Sequence, residues 1–320
     1  MPGLFDLPFD QLQDYQGSNP RPDDFDAYWE RAHQELAAVD SALELVPAQF
    51  QAPFARCDHL YFAGAGGARV HAKLLRPVAP AAPGPAVLMF HGYSGQSPEW
   101  SEMLGYVAAG ITVAALDCRG QGGRSDDAGG VRGNTLYGHI IRGLADGPDQ
   151  LLYRRIFLDT AQLAGIVMGL DEVDADRVGA TGASQGGGLT LACAALQPRI
   201  RRAAPVYPFL CDYQRVWEMD QAERAYRELR DFFRMFDPTH ERQAHYFERL
   251  GYIDVQHLAP RIEAKVLMGV GLMDQVCPPS TQFAAYNKIS ASKEMVIFPD
   301  YEHEALPGFR DRTFQFMLGL

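Results

Sequence analysis

The sequence predicts an α/β fold, with a doubly wound, mostly parallel sheet and helices on both faces. Two observations carry this. From Pro85 onward, short apolar runs alternate with segments of helical spacing. The runs are apolar almost throughout, as strands buried on both faces are. A third observation bounds the domain count. The 320 residues contain no repeat and no long low-complexity linker, so one domain covering 1–320 is expected.

The elements follow in order. Residues 22–39 read as a helix, with Pro22 in its first turn and Phe25, Tyr28, Trp29 and Ala32 recurring at helical spacing. With its flanks it makes an N-terminal helical extension over about 1–50. Segments 57–62 and 68–76 flank the turn Gly64-Ala65-Gly66-Gly67 and predict a hairpin. The Pro- and Ala-rich stretch from Pro77 to Pro85 reads as a surface turn. Strands are then predicted at 85–90, 111–116, 177–181, 202–207, 265–271 and 294–298. Helices are predicted at 99–109, 151–170, 186–197, 279–289 and 305–318. A Gly-rich, charged loop fills 119–149. Residues 212–257 carry no strand signal and are rich in Glu, Arg, Tyr and Phe. They read as two or three helices inserted between strands, at a position suited to a cap or an interface.

Composition excludes several functions. The net charge is −11, and nucleic-acid binding needs clustered Lys and Arg. The short run Arg199, Arg201, Arg202 reads as the polar start of a strand. Met1 to Asp10 lacks a basic start followed by an apolar stretch, so no signal peptide is expected. There is no apolar run of about 18 residues, so no membrane span is expected either. Five cysteines without a CxxC pair read as buried thiols in a reducing cytoplasm.

Chemistry enters at Gly182-Ala183-Ser184-Gln185-Gly186, a G-x-S-x-G pattern. It follows an apolar strand and precedes a small-residue helix. That context predicts a strained turn that lifts the Ser184 hydroxyl above the sheet as a nucleophile. It also places the Gln185 N–H at a helix N-terminus, where it can hold an oxyanion. A second donor is expected after the strand ending at Phe90, from the N–H of Tyr93, with Gly92 as the alternative. His91 reads as a loop-shaping residue.

A serine hydroxyl needs a base, and the base needs an orienting acid. Asp274 lies just past the strand 265–271. His303 lies just past the strand 294–298, 29 residues later. Both fall at the sheet's C-terminal edge, in the chain order nucleophile, acid, base. Asp300 and Glu302 share the loop of His303 and are less well placed to orient it. No H-E-x-x-H or paired Cys/His motif is present, so neither metal nor cofactor is expected. The segment Gly120-Gln121-Gly122-Gly123-Arg124 is neither a P-loop nor a dinucleotide fingerprint.

Together these residues resemble carbohydrate esterase family 7, the acetyl xylan esterases and cephalosporin C deacetylases. Arg119-Gly120-Gln121 is similar to that family's R-G-Q motif. Gly182 to Gly186 and His303-Glu304 are similar to its G-x-S-Q-G and H-E motifs, and Asp274 within Leu272 to Ser280 to its acid segment. Within the insertion, 212–217 and 250–255 resemble the family's interface region. The resemblance implies an α/β-hydrolase fold with Ser184 as nucleophile, His303 as base, Asp274 as acid, and Tyr93 and Gln185 as oxyanion donors. It implies deacetylation of short xylo-oligosaccharides and of the 3'-acetoxymethyl group of cephalosporins. It also implies a cytoplasmic homohexamer, a trimer of dimers. The competing readings are a peptidase of the same fold and a non-catalytic binding protein on the same scaffold.

Overall fold

A computed structural model describes residues 5–128, 135–221 and 224–320. Among these, nine strands form one sheet in the order β1-β2-β3-β5-β4-β6-β7-β8-β9. They are β1 (Glu44–Pro47), β2 (Ala55–Ala63), β3 (Arg69–Pro77), β4 (Gly84–Phe90), β5 (Thr112–Asp117), β6 (Val173–Ala183), β7 (Ile200–Val206), β8 (Lys265–Gly271) and β9 (Lys293–Phe298). β1, β2, β3 and β5 pair antiparallel, whereas β5, β4, β6, β7, β8 and β9 pair parallel. The hairpin expected around Gly64 is β2 and β3.

The helices are α1 (Phe9–Asp14), α2 (Phe25–Ala37), α3 (Trp100–Ala108), α4 (Leu152–Met168), α5 (Gln185–Leu196), α6 (Tyr213–Glu218), α7 (Arg227–Phe236), α8 (Gln243–Gly251), α9 (Val255–Leu258), α10 (Pro279–Lys288) and α11 (Phe309–Leu318). Strand alternation divides the core between the two faces of the sheet. Leu74, Leu88 and Ala114 pack with α4, α5 and α10. Their neighbours Leu75, Val87 and Val113 pack with Met103, Tyr106 and Val107 of α3 and Met317 of α11. All twelve residues of α5 are buried, which explains its lack of a polar face.

Several boundaries depart from the sequence reading; β6 starts at Val173 rather than 177 and β7 at Ile200 rather than 202. The N-terminal extension is not wholly helical, because β1 pairs along β2 from Glu44↔Tyr61 to Pro47↔Asp58. All four β1 residues are exposed, so no hydrophobic alternation announces the strand. α2 starts at Phe25 rather than Pro22, and its buried residues are the four expected: Phe25, Tyr28, Trp29 and Ala32. α11 starts at Phe309, not near 305. Pro307 precedes Gly308, whose φ of +71° sets the turn into the helix.

The insertion between β7 and β8 comprises α6, α7, α8 and α9 among the described residues. The N-terminal segment is tied to it. Asp212 accepts from the Ser18 and Asn19 amides and from the Tyr15 hydroxyl. Trp29 Nε1 donates to the Tyr252 carbonyl at 3.1 Å. Of the long 119–149 loop, residues 129–134 lie outside the described set. No described helix is long and apolar enough to cross a membrane.

Parallel pairing positions the site. Phe90 pairs with Gly182, Ala183 with Val206, Val206 with Gly269, and Gly271 with Phe298. The strand ends are therefore level, and the loops after β4, β6, β8 and β9 emerge along one edge.

Candidate active site

The turn between β6 and α5 is built by close backbone packing. Ser184 has a φ of +57°, an uncommon conformation for a residue with a Cβ. The turn is held in place by Ser184 N–H donating to the Val206 carbonyl at 3.0 Å. The Ser184 carbonyl accepts from Phe209 N–H at 3.0 Å. A Cβ at Gly186 would lie 2.1 Å from the Phe90 carbonyl oxygen, and one at Gly182 2.6 Å from the same atom. The two glycines of the motif are therefore required by contact with β4.

Ser184, His303 and Asp274 come together in one hydrogen-bonded line. His303 Nε2 lies 3.0 Å from Ser184 Oγ, and His303 Nδ1 lies 2.8 Å from Asp274 Oδ2. With Asp274 accepting, Nδ1 carries the proton and Nε2 is free to accept from the serine hydroxyl. Asp274 is fully buried. Its other oxygen accepts from the Val276 and Cys277 amides, each at 2.8 Å. Those bonds fix the carboxylate before it orients the ring. Tyr207 packs over His303 with ring centroids 4.6 Å apart.

Asp274, Cys277 and His303 also bring metal-ligand atoms within 4.8 Å of one another. The donor chemistry is poor for a metal. Burial pushes the Cys277 thiol well up, so Cys277 stands as a neutral thiol. Both Asp274 oxygens are already in use.

The loop after β4 carries Tyr93, and Gln185 heads α5. The Gln185 side chain is buried. Its oxygen accepts from the Tyr153 hydroxyl at 2.7 Å and from Gln121 Nε2 at 2.8 Å. Its nitrogen donates to the His91 and Gly92 carbonyls at 3.3 and 3.4 Å. Gln121 accepts from Ser94 N–H at 2.9 Å. Gln121 and Gln185 thus brace the loop on both sides of Tyr93. His91 Nε2 accepts from Cys118 N–H at 3.0 Å, the loop-shaping part expected of it.

Arg119 works at a distance from the serine. It is fully buried, and Nε and Nη2 donate to the two Asp159 oxygens at 2.7 and 2.6 Å. Its Nη1 donates to the Ala65 carbonyl at 2.7 Å. The guanidinium therefore joins the β2–β3 turn to α4. Removing one partner of such a pair strands a buried charge. Arg119→Ala is expected to lower unfolding stability by about 3–5 kcal/mol, read as a lower urea midpoint. A loss below about 1 kcal/mol would contradict this role.

A pocket of about 220 Å³ opens beside His303, lined by Gln221, Arg224, Gln275, Val276, Glu302 and Glu304. A second, of about 290 Å³, lies between α3 and α11 and touches Ala183 and Tyr207. Sequence reasoning did not single out Tyr207, Gln221 or Arg224. Each lies in or beside the insertion, and no local motif marks it.

A mostly parallel sheet with its serine on a strand-to-helix turn, and an acid and a histidine after later strands, defines an α/β-hydrolase. The sequence profile of the acetyl xylan esterase (AXE1) family matches residues 2–320, and the chain belongs to that family. It is 58% identical to acetyl xylan esterase 1 from Thermoanaerobacterium sp. JW/SL YS485. The TM-score is 0.95, over 98% of this chain and 99% of that one. It is 34% identical to an acetyl xylan esterase from Paenibacillus sp. R4, with a TM-score of 0.91 over 98% and 99% of the two chains. It is also 30% identical over 166 residues to the acetyl esterase Axe7A of Xylanibacter ruminicola. That match takes in 52% of this chain and spans only 36% of the curated relative's length.

Proposed function

We propose that the chain is a serine esterase that removes acetyl groups from acetylated xylo-oligosaccharides and from cephalosporin C. The observation that carries this is the unbroken line from Ser184 Oγ through His303 to the buried Asp274 carboxylate. Family membership supports the acetyl specificity. In the first step His303 Nε2 takes the Ser184 proton as Oγ bonds to the acetyl carbon. The carbonyl oxygen becomes an oxyanion facing the Gln185 and Tyr93 N–H groups. The C–O bond to the alcohol then breaks, and His303 gives its proton to the departing oxygen. Water repeats the sequence, releasing acetate and restoring the Ser184 hydroxyl.

The pocket beside His303 favours a sugar as the leaving alcohol. Its Gln, Arg and Glu side chains offer hydrogen bonds to hydroxyl groups, and an apolar chain would leave them unpaired. The five cysteines, all free and buried, suit the reducing cytoplasm that belongs to this reading. A homohexamer, implied by the family resemblance, is part of the same proposal.

The test is acetate release from acetylated xylo-oligosaccharides and cephalosporin C, beside acetyl-to-octanoyl nitrophenyl esters and a dipeptide nitroanilide. Turnover is expected on the acetyl substrates and to fall with chain length. Faster cleavage of the anilide would turn the reading to a peptidase. Failure of a fluorophosphonate to label the protein would turn it to a binding protein. Light scattering on the same preparation should report six copies, and a monomer would remove the hexamer from the proposal.

A further inference from the structure

Glu228 lies in the first turn of α7, within the insertion, in the charged stretch Arg227-Glu228-Leu229-Arg230. Such a stretch ordinarily faces water. Here the carboxylate is fully buried. One oxygen accepts from the Tyr93 hydroxyl. The other accepts from the Ile140 amide at 2.8 Å and the Ile141 amide at 3.1 Å. The Tyr93 hydroxyl also accepts from His139 N–H at 3.3 Å. The Tyr93 ring rests against His139 and Phe209, with centroids 4.9 and 5.7 Å away. A buried carboxylate from one element therefore joins two others, the loop after β4 and the turn at 138–141.

We propose that Glu228 is a positioning residue of the oxyanion hole, holding the Tyr93 phenol so that the Tyr93 N–H keeps its place beside Ser184. This rests on the reading of Tyr93 as an oxyanion donor. An oxyanion donor works only when its direction is set before charge develops. The backbone next to Tyr93 is already braced. The Gly92 carbonyl accepts from Gln185, and Ser94 N–H donates to Gln121. What remains is rotation of Tyr93 itself, and Glu228 limits it through the far end of the side chain, together with His139 and Phe209 against the ring. The insertion thereby becomes part of the catalytic apparatus.

The charge state of Glu228 supports a pH signature. Burial pushes its carboxyl up to about 7, partly offset by the bonds from Tyr93, Ile141 and Ile140. The Arg142 charge also draws the Glu228 carboxyl down, and the phenols of Tyr137, Tyr153 and Tyr213 lie close enough to feel its charge. Above this value the ionised carboxylate accepts all three bonds. Below it, a proton turns one acceptor oxygen into a donor and weakens the hold on Tyr93.

The experiment compares Glu228→Gln, Tyr93→Phe and the double variant on 4-nitrophenyl acetate between pH 5.5 and 9, with melting temperatures. Each single change is expected to lower kcat about tenfold, part of the 100- to 1,000-fold carried by a whole donor. KM should stay within about twofold, because the interaction acts on the transition state. The double variant should be no slower than the slower single, since both break one link. The fall of kcat below about pH 7 should be shallower in Glu228→Gln than in the unsubstituted enzyme. Unchanged kcat in folded Glu228→Gln, losses that multiply, or a change confined to KM would each overturn the proposal. If Glu228→Gln does not fold, Tyr93→Phe decides alone by the same kcat and KM criterion. Ser184→Ala assayed alongside separates the two levels, because activity retained there would fault the underlying reading instead.

Discussion

Ser184→Ala is expected to lower kcat for acetyl ester hydrolysis by about 10⁶-fold and to abolish fluorophosphonate labelling. The reason lies in the geometry of the line. Ser184 Oγ sits 3.0 Å from His303 Nε2, and without it the histidine has nothing to deprotonate. The fold should survive the change. Alanine keeps the Cβ, so the strain of a φ of +57° remains and stability changes little. Ser184→Gly should abolish activity equally but raise stability by up to about 1 kcal/mol, because glycine adopts positive φ without penalty. The check is nitrophenyl acetate turnover together with urea unfolding of all three proteins. Activity within tenfold of the parent in either variant would remove Ser184 as nucleophile.

Asp274→Asn carries the next largest effect, a loss in kcat of about 10⁴-fold with KM little changed. The change preserves volume but reverses a hydrogen bond. The Val276 and Cys277 amides hold one side-chain oxygen at 2.8 Å, and an asparagine oxygen would stay there. The amide nitrogen would then face His303 Nδ1. Both groups cannot donate, so the ring must put its proton on Nε2, where it points at Ser184 and blocks acceptance. The competing carboxylates, Asp300 and Glu302, are exposed, and Glu302 lines the pocket beside His303. Full activity in Asp274→Asn, measured against Glu302→Gln as a control, would move the orienting role to another residue.

The three residues of the line are legible in the sequence alone, for reasons that are local. A G-x-S-x-G segment between an apolar strand and a small-residue helix is a contiguous pattern, and its two glycines prove to lie against the Phe90 carbonyl. Asp274 and His303 each follow a strand directly, and parallel pairing makes strand ends level. The helices and the parallel strands were similarly readable, because burial on one or both faces leaves a periodic trace. β1 left no trace, since an edge strand with all four residues exposed is defined by its partner alone. The start of α11 was misplaced for a comparable reason, because the conformation at Gly308 is a choice among several that glycine allows.

By itself, then, the sequence determined the α/β class, the helical stretch between β7 and β8, and the choice of Ser184, Asp274 and His303 as the candidate site residues, all of which depend on patterns within a few residues. Only the tertiary structure decided what surrounds them. Tyr207 covers His303, Gln121 reaches Gln185, and Arg119 closes on Asp159. Glu228, in a run that reads as solvated helix, is buried against Tyr93 across 135 residues of chain. The physical reason is that periodicity records which face of an element leaves water. It carries no record of which distant group meets a side chain once it has left.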